Sequence, residues 1–262
     1  MPGVLDRELR DGVLLLTMRR PAQMNALSSE LLAALGSALT DAVADPAVRI
    51  LHLTGSGRAF CAGADLTEAA ELTTDPASFR RWLLLWKQVF QAIGETRKPV
   101  VALLNGLTLA GGLELALACD FILASSSARV GDVHANYGLV PGGGGTQRLP
   151  DAVGTRYARW LMYTGAILTA EEAHRVGLVQ QVFSDETFVE DTWAMGAAMA
   201  RRSATGLGFM KRMTAPARVN GPGLDLELEG AVHVVTGVDG REGLAAFREK
   251  RVPRFTARPD LR

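Results

Sequence analysis

The chain has 262 residues, with 28 basic and 28 acidic side chains, and 48% of its residues are hydrophobic. This length is typical of one sizeable domain with a well-developed apolar core. The balanced charge excludes a global field that would attract nucleic acid or an anionic membrane, so any phosphate binding must be local. Cys61 and Cys119 stand in no CxxC or metal-ligand pattern, which predicts free thiols, a reducing compartment and no metal site.

The N-terminal segment interleaves acidic and basic residues and has no apolar run, so it does not read as a signal peptide. The most apolar stretch, residues 99–125, is interrupted by Asn105, Glu114 and Asp120. This pattern predicts a core strand, a turn and a core helix rather than a membrane span. We therefore expect a cytoplasmic protein.

Apolar periodicity predicts strands and helices that alternate along the first 150 residues. The predicted strands cover residues 12–18, 48–54, 99–104, 121–124 and 129–130. The predicted helices cover residues 27–43, with Ser28 or Ser29 as N-cap, residues 76–93, and a short segment from Gly111 toward Cys119. From about residue 155 the pattern is mainly helical, except at 178–183. Alternating strands and helices predict an α/β fold with mostly parallel pairing.

The glycine run at residues 142–145 is followed by Thr146-Gln147-Arg148, whereas a P-loop requires Lys and then Ser or Thr after its last glycine. The first strand-to-helix connection carries no GxGxxG, which excludes a dinucleotide fingerprint. Taken alone, the run is typical of a tight loop that leads into a helix.

Two other turns, at residues 55–66 and 105–115, are rich in small residues that let a backbone approach a ligand and direct its N–H groups inward. A helix that begins near Gly111 would point its free N–H groups and its positive dipole end at that ligand. Glu114 follows one turn later on the same helix face. Its spacing fits two interpretations equally, an acid that complements the helix dipole or a buried working carboxylate.

The segments Arg20-Pro21-x-x-x-Asn25-Ala-Leu, residues 57–66 and residues 105–115 resemble, in order and spacing, the signature segments of the enoyl-CoA hydratase (crotonase) family. Residues 138–149 and 242–251 extend the match over essentially the whole chain. The resemblance implies an α/β fold built as a crotonase-like spiral of ββα units. It also implies a core over residues 1–200, a C-terminal helical trimerisation region over 201–262, and a homotrimer or hexamer.

The resemblance assigns roles to individual positions. The main-chain N–H groups of Ala64 and Gly111 would form an oxyanion hole for the thioester oxygen of an acyl-CoA substrate, with no separate cofactor because coenzyme A is part of the substrate. Glu114 would be the first of two catalytic acids. The residues expected to contact coenzyme A or the substrate are Ala22, Gln23, Met24, Arg58, Ala62, Gly112, Phe247 and Lys250.

The sequence departs from the family pattern at the second acid, where His134 stands seven residues before Pro141. A carboxylate and an imidazole form a workable acid–base pair, so we predict hydration of a 2-enoyl-CoA by Glu114 and His134. On alternating strand geometry, Asp132 would share the face of His134. The helix at residues 76–93, with Trp82 and Trp86, is expected to line the acyl pocket.

Other functions remain open at this stage. Enoyl-CoA isomerisation or acyl-CoA decarboxylation would use the same oxyanion hole with one general base or none. Hydrolysis of a carbon–carbon bond in a β-diketone is less favoured, because relatives of that kind pair a histidine with an aspartate in the loop that here holds only glycines. A non-catalytic acyl-CoA-binding protein is the alternative from another functional class.

Overall fold

The computed structural model describes residues 3–214 and 222–254. In that part of the chain, ten strands form two sheets. They are β1 (Leu5–Arg10), β2 (Val13–Met18), β3 (Ile50–Gly55), β4 (Ala59–Cys61), β5 (Val100–Leu104), β6 (Leu107–Leu109), β7 (Phe121–Ser125), β8 (Arg129–Gly131), β9 (Ile167–Thr169) and β10 (Gln181–Phe183).

The helices surround these sheets. They are α1 (Ser29–Ala44), α2 (Leu66–Leu72), α3 (Pro76–Glu95), α4 (Gly111–Ala118), α5 (Gly145–Val153), α6 (Thr155–Thr164), α7 (Ala170–Arg175), α8 (Phe188–Ala200), α9 (Ala204–Thr214), α10 (Pro222–Val235) and α11 (Val238–Glu249). Short 3₁₀ helices cover Pro21–Gln23 and His134–Tyr137.

The two sheets are built by a repeated chain path. The larger sheet has the strand order β1-β2-β3-β5-β7-β10, and the smaller has the order β4-β6-β8-β9. Pairing is parallel except between β1 and β2 and between β8 and β9. The pairs β3–β4, β5–β6 and β7–β8 each place one strand in each sheet before the chain turns into helix. Successive ββα units therefore wind as a spiral.

The expected α/β architecture with mostly parallel pairing is confirmed, as are the main predicted strands and helices. The sequence pattern does not predict β1, because its sequence LDRELR is largely charged and four of its six residues are exposed at the edge of the sheet. It also omits β4, β6 and β9, which at three residues each are too short to show a period. The boundary at residue 200 and the trimer stay predictions.

Helix α3 carries an aromatic ridge that faces the core. Phe79, Trp82, Trp86 and Phe90 follow one another at helical spacing and are all buried. Neighbouring ring centroids lie 5.1–5.8 Å apart in tilted or edge-on arrangements, which are favourable for aromatic pairs. The ridge packs beside α4, and its residues Phe79, Trp82 and Trp86 form part of the wall of the cavity described below. Within residues 3–214 and 222–254, no helix has both the length and the apolar character needed to cross a bilayer.

Two asparagines of the family-like segments tie the turns together. The Nδ2 atom of Asn25 donates to the carbonyl oxygens of Ser56 and Ala59 at 2.9 and 2.7 Å. The Oδ1 atom of Asn105 accepts from the N–H of Gly55 at 3.1 Å, and its Nδ2 donates to the carbonyl of Gly57 at 2.9 Å. The hydrogen bonds of both side chains thus fix the turn between β3 and β4 to the segments that carry Asn25 and Asn105.

Candidate active site

Ala64 and Gly111 bring two unpaired main-chain N–H groups to one cavity. Both residues line a cavity of about 460 Å³. A Cβ built on Gly111 would lie 3.5 Å from the nitrogen of Ala64, so the two turns approach closely. Within the described residues, neither N–H has an acceptor in the protein. The main-chain groups on either side of Ala64 are already engaged, because Leu27 donates to the carbonyl of Gly63 and Asp65 donates to the carbonyl of Leu27.

The residue before Gly111 has a strained backbone. Ala110 has φ 49° and ψ −119°, a conformation that L-residues rarely adopt. Its N–H donates to the carbonyl of Gly131 at 3.0 Å, and this bond to β8 holds it in place. Gly63, which precedes Ala64, also has a positive φ, of 110°, and a side chain at Gly63 would be disfavoured in this conformation. The fold thus maintains two unusual turns whose effect is to leave the following N–H groups free.

Arg20 fastens the loop that precedes α1 to the turn that carries Ala64. Its Nη2 atom lies 2.8 Å from Oδ2 of Asp65, and its Nη1 donates to the carbonyl of Ala26. Asp65 also caps α2, because its Oδ1 accepts from the N–H of Thr67 at 3.1 Å. Burial tends to raise the pKa of Asp65, but these hydrogen bonds and the charge of Arg20 bring it below its ordinary value. The pair is therefore ionic and positions the Ala64 turn.

Glu114 is held by the glycine loop at residues 142–145. It is buried in the first turn of α4, and its Oε1 atom accepts from the N–H groups of Gly143 and Gly145, both at 2.8 Å. The carboxylate also lies at the N-terminal end of α5, where the helix dipole favours negative charge. Burial raises the pKa of Glu114 to about 7, with the nearby charge of His134 opposing that rise. The glycine loop, which the sequence suggested was only a tight connection, thus cradles a carboxylate and leaves Oε2 free.

Glu227 of α10 holds the same loop from its other side. It is buried, and it accepts hydrogen bonds from the N–H of Gly144, from the N–H of Thr146 at 2.6 Å, and from the Thr146 hydroxyl. Successive N–H groups of residues 143–146 therefore alternate between Glu114 and Glu227. Burial raises the pKa of Glu227 above its ordinary value. Sequence analysis missed this residue because no local pattern links it to a loop some eighty residues earlier.

His134 lies beside Glu114 in the cavity. Its Nδ1 atom is 2.9 Å from Oδ1 of Asp132, which also accepts from the His134 main-chain N–H at 3.3 Å. The other ring nitrogen, Nε2, lies 3.8 Å from Oε2 of Glu114. Burial tends to lower the pKa of His134, but the charge and hydrogen bond of Asp132 outweigh it and raise the pKa to about 8. The contact with Asp132 therefore favours a hydrogen on Nδ1 of His134, and Nε2 faces Glu114.

Asp132 reaches His134 by a different route from the one expected. Strand β8 ends at Gly131, and His134 begins a 3₁₀ helix, so residues 132–134 do not alternate as in a strand. The two side chains meet because the chain turns between them. The expectation from strand alternation is wrong about the geometry, although it names the right acid.

The other predicted site residues divide into two groups. Gln23, Met24, Ala62 and Phe247 line the cavity with Trp82 and Trp86. In contrast, the exposed residues Ala22, Arg58 and Lys250 lie outside the lining. Gly112 also lies outside it and packs against the main chain of Cys61, because a Cβ on Gly112 would stand 2.0 Å from the carbonyl oxygen of Cys61. A larger cavity of about 560 Å³ lies beside Cys119 and the ion pair of Lys211 with Asp120, and its walls contain none of the predicted catalytic residues.

The sequence and the fold identify the class of protein. Residues 8–258 match the family model described as enoyl-CoA hydratase/isomerase, so the chain belongs to this family of enzymes. Its fold is the crotonase fold. An enoyl-CoA hydratase structure from Mycobacterium avium subsp. paratuberculosis K-10 superposes with a TM-score of 0.88 at 29% identity, covering 98% of this chain and all of that one.

Curated relatives with different reactions match the chain almost equally. A crotonyl-CoA hydratase from Syntrophomonas wolfei is 35% identical over 97% of this chain and 98% of its own length. A 1,2-epoxyphenylacetyl-CoA isomerase from Escherichia coli K12 is also 35% identical, over 94% of this chain and 96% of its own length. The likeness therefore supports an acyl-CoA substrate but does not separate hydration from isomerisation. That distinction depends on the side chains at the site.

Proposed function

We propose that the protein hydrates a 2-enoyl-CoA to a 3-hydroxyacyl-CoA, with Glu114 and His134 as its acid–base pair. The observation that carries the proposal is the 3.8 Å separation between Oε2 of Glu114 and Nε2 of His134. This distance is too long for a direct hydrogen bond, but a water oxygen can lie about 2.8 Å from both atoms at once. The two groups are therefore suited to hold one water molecule between them.

The protonation states of Glu114 and His134 suit an addition reaction. The pKa of Glu114 is near 7 and that of His134 is near 8, so close to neutral pH the carboxylate can be ionised while the imidazole is protonated. A general base and a general acid are most effective when their pKa values lie near the working pH. One group is then ready to accept a proton and the other is ready to donate one.

The proposed reaction proceeds through an enolate. Glu114 takes a proton from the water while the water oxygen bonds to C3 of the enoyl group. The electron pair of the C2=C3 double bond then forms the C1=C2 bond of the enolate, and the carbonyl pair moves onto the thioester oxygen. The N–H groups of Ala64 and Gly111 stabilise that oxygen, and each such donor typically contributes about 3–4 kcal/mol in the transition state. The enolate then collapses as C2 takes the proton from Nε2 of His134. Transfer of the proton from Glu114 to His134, through the next water molecule, restores the starting state.

Isomerisation of an enoyl-CoA is the second candidate, because the family model that matches the chain is described as enoyl-CoA hydratase/isomerase. Moving a double bond requires only a base that removes a proton from one carbon and returns it to another, so Glu114 alone is sufficient. In that reaction the contact between His134 and Asp132 would take part in no proton transfer. Hydration uses both members of the pair and is therefore the function we favour.

The test is to add crotonyl-CoA and follow the loss of the conjugated enoyl absorbance, with mass spectrometry of the product. We expect prompt loss and a product heavier by one water, and we expect Glu114→Gln and His134→Ala each to remove most of the activity. His174→Ala, which changes an exposed histidine in α7, and Glu229→Gln, which changes an exposed acid in α10, are matched controls that keep full activity.

Different outcomes point to different functions. Activity of His134→Ala equal to that of the unmodified protein would rule out the second catalytic role. Conversion of a 3-enoyl-CoA into its conjugated isomer, without water addition, would establish isomerisation instead. If no thioester is consumed but crotonyl-CoA still raises the melting temperature, the protein binds acyl-CoA without turning it over.

A further inference from the structure

We infer that the site accepts acyl groups that are uncharged and apolar along their whole length, and that it rejects acyl groups with a terminal carboxylate. This inference deepens the proposed function, since it rests on an acyl-CoA as the ligand of this cavity. It follows from two independent properties of the cavity beyond Gly111, namely the chemistry of its walls and the distribution of charge around it.

Aromatic rings stand immediately beside the predicted position of the thioester. A Cβ on Gly111 would come within 2.4 Å of Cζ3 and 2.7 Å of Cη2 of Trp86, so the indole packs directly on the Cα of Gly111. Trp82 and Phe79 continue this surface along α3, with ring centroids 5.1 and 5.6 Å from their neighbours. An acyl chain that leaves the thioester on this side therefore meets aromatic rings, against which the burial of apolar carbon is favourable. The indole N–H groups of Trp82 and Trp86 are buried within this wall, and no lysine or arginine of the described lining could pair with an ionised group.

A second apolar part of the lining comes from the C-terminal helices. Ala231 and Val235 of α10 and Leu244 of α11 line the cavity, and each is at most 6% exposed. Helices α3 and α10 close on the glycine loop, because a Cβ on Gly142 would lie 3.0 Å from Cβ of Ala231 and 3.2 Å from Cδ2 of Leu83. The residues that α3, α10 and α11 contribute to the lining are thus apolar, and an acyl tail on this side would contact hydrophobic side chains.

The charges near the cavity exclude a second carboxylate. Among the described lining residues, the charged side chains are Asp65, Glu114 and His134, and no lysine or arginine is present. Asp65 is already paired with Arg20, and the cation of His134 is shared between Asp132 and Glu114. A carboxylate at the end of an acyl chain would therefore lose its hydration without gaining a partner. It would also be repelled by the acids already present.

The experiment compares three thioesters by isothermal titration calorimetry. Hexanoyl-CoA and adipyl-CoA have six-carbon acyl groups that differ only in a terminal carboxylate, and acetyl-CoA supplies coenzyme A with almost no tail. None of them is a conjugated enoyl-CoA, so binding is measured without turnover. We expect hexanoyl-CoA to bind at least 10-fold more tightly than acetyl-CoA, and adipyl-CoA to bind no more tightly than acetyl-CoA. Equal affinity for hexanoyl-CoA and adipyl-CoA would overturn the inference.

A pair of tryptophan variants tests the role of the wall. Trp82→Ala should reduce the ratio of the affinity for hexanoyl-CoA to the affinity for acetyl-CoA at least several-fold. Trp160→Ala, which removes a half-exposed indole from α6, should leave all three affinities unchanged. An unaltered preference in Trp82→Ala would contradict the role assigned to the aromatic wall.

The result is separable from the test of hydration. If crotonyl-CoA is hydrated but adipyl-CoA binds as well as hexanoyl-CoA, the inference fails and the proposed function stands. If crotonyl-CoA is not consumed but the preference for hexanoyl-CoA persists, the inference stands and the proposed reaction fails. Absence of binding by all three thioesters would overturn both.

Discussion

Oδ1 of Asp132 lies 2.9 Å from Nδ1 of His134, and the same oxygen accepts the main-chain N–H of His134. A carboxylate in this position selects the ring nitrogen that carries the hydrogen and orients the other toward the cavity. Under the proposed function, the pair would supply what a second glutamate supplies in the family pattern, a group placed for proton transfer opposite Glu114. In that function Asp132 would be a positioning residue that acts through His134.

Replacement of Asp132 by asparagine should change the pH dependence of the reaction. In the unmodified protein we expect a bell-shaped profile of kcat, because below about pH 7 Glu114 is protonated and cannot act as base, and above about pH 8 His134 loses the proton that it must donate. Asp132→Asn removes the charge that raises the pKa of His134, so the alkaline limb should move to lower pH. We also expect kcat to fall at least about 100-fold, because the amide can favour the wrong tautomer.

Asp191→Asn is the matched control for this change, since it removes an exposed acid from the first turn of α8. Its profile should coincide with that of the unmodified protein. An alkaline limb that stays in place in Asp132→Asn would show that Asp132 serves only to stabilise the fold.

Replacement of Glu227 by glutamine should weaken the support of Glu114 without touching the cavity. The variant loses a charged acceptor for Gly144 and Thr146, and we expect the free energy of unfolding to fall by about 1–3 kcal/mol. The negative charge of Glu227 also contributes to the raised pKa of Glu114, so its removal should move the acid limb of the kcat profile to lower pH. Chemical denaturation and the pH profile measure the two effects separately.

The neighbouring exposed acid provides the comparison for Glu227. Glu229→Gln, which removes an exposed ion pair with Arg80, should leave both the unfolding free energy and the acid limb nearly unchanged. If Glu227→Gln lowers stability but leaves the acid limb where it was, the electrostatic link between Glu227 and Glu114 is absent.

A methyl group on Gly111 should impair the proposed oxyanion hole in two ways. In Gly111→Ala the new Cβ would overlap the Trp86 ring, and it would stand 3.5 Å from the nitrogen of Ala64. We expect kcat/KM for crotonyl-CoA to fall roughly 100-fold, the loss typical of one oxyanion-hole donor. Gly94→Ala, at a site in α3 where a Cβ meets nothing within 4 Å, should retain full activity.

A double variant separates the steric clash from the loss of catalysis. Adding Trp86→Leu to Gly111→Ala removes the ring that the methyl group would strike, so the melting temperature should recover. Activity should remain low, because the methyl group still stands beside the N–H of Ala64. Recovery of activity together with stability would show that the clash with Trp86, and not the oxyanion site, accounts for the defect.

Local patterns in the chain were sufficient to predict much of the fold and part of the site. Strands β2, β3, β5 and β7 are apolar runs bounded by turns, and α3 has a helical period, so their residues alone predict them. Glu114 could be singled out because a carboxylate in so apolar a segment needs a partner or a task. The two small-residue turns were recognisable because close approach of a backbone requires glycine or alanine nearby.

The partners of these groups could not be predicted in the same way, because they depend on how distant segments pack. Glu227 contacts the glycine loop only because α10 packs against it, and the local sequence of neither segment predicts that contact. The direction of the His134 ring follows from the turn after β8, which strand alternation does not describe. Composition and local period determine which residues are available for chemistry, whereas the hydrogen bonds that orient them and shift their pKa values arise only when long-range packing excludes water around them.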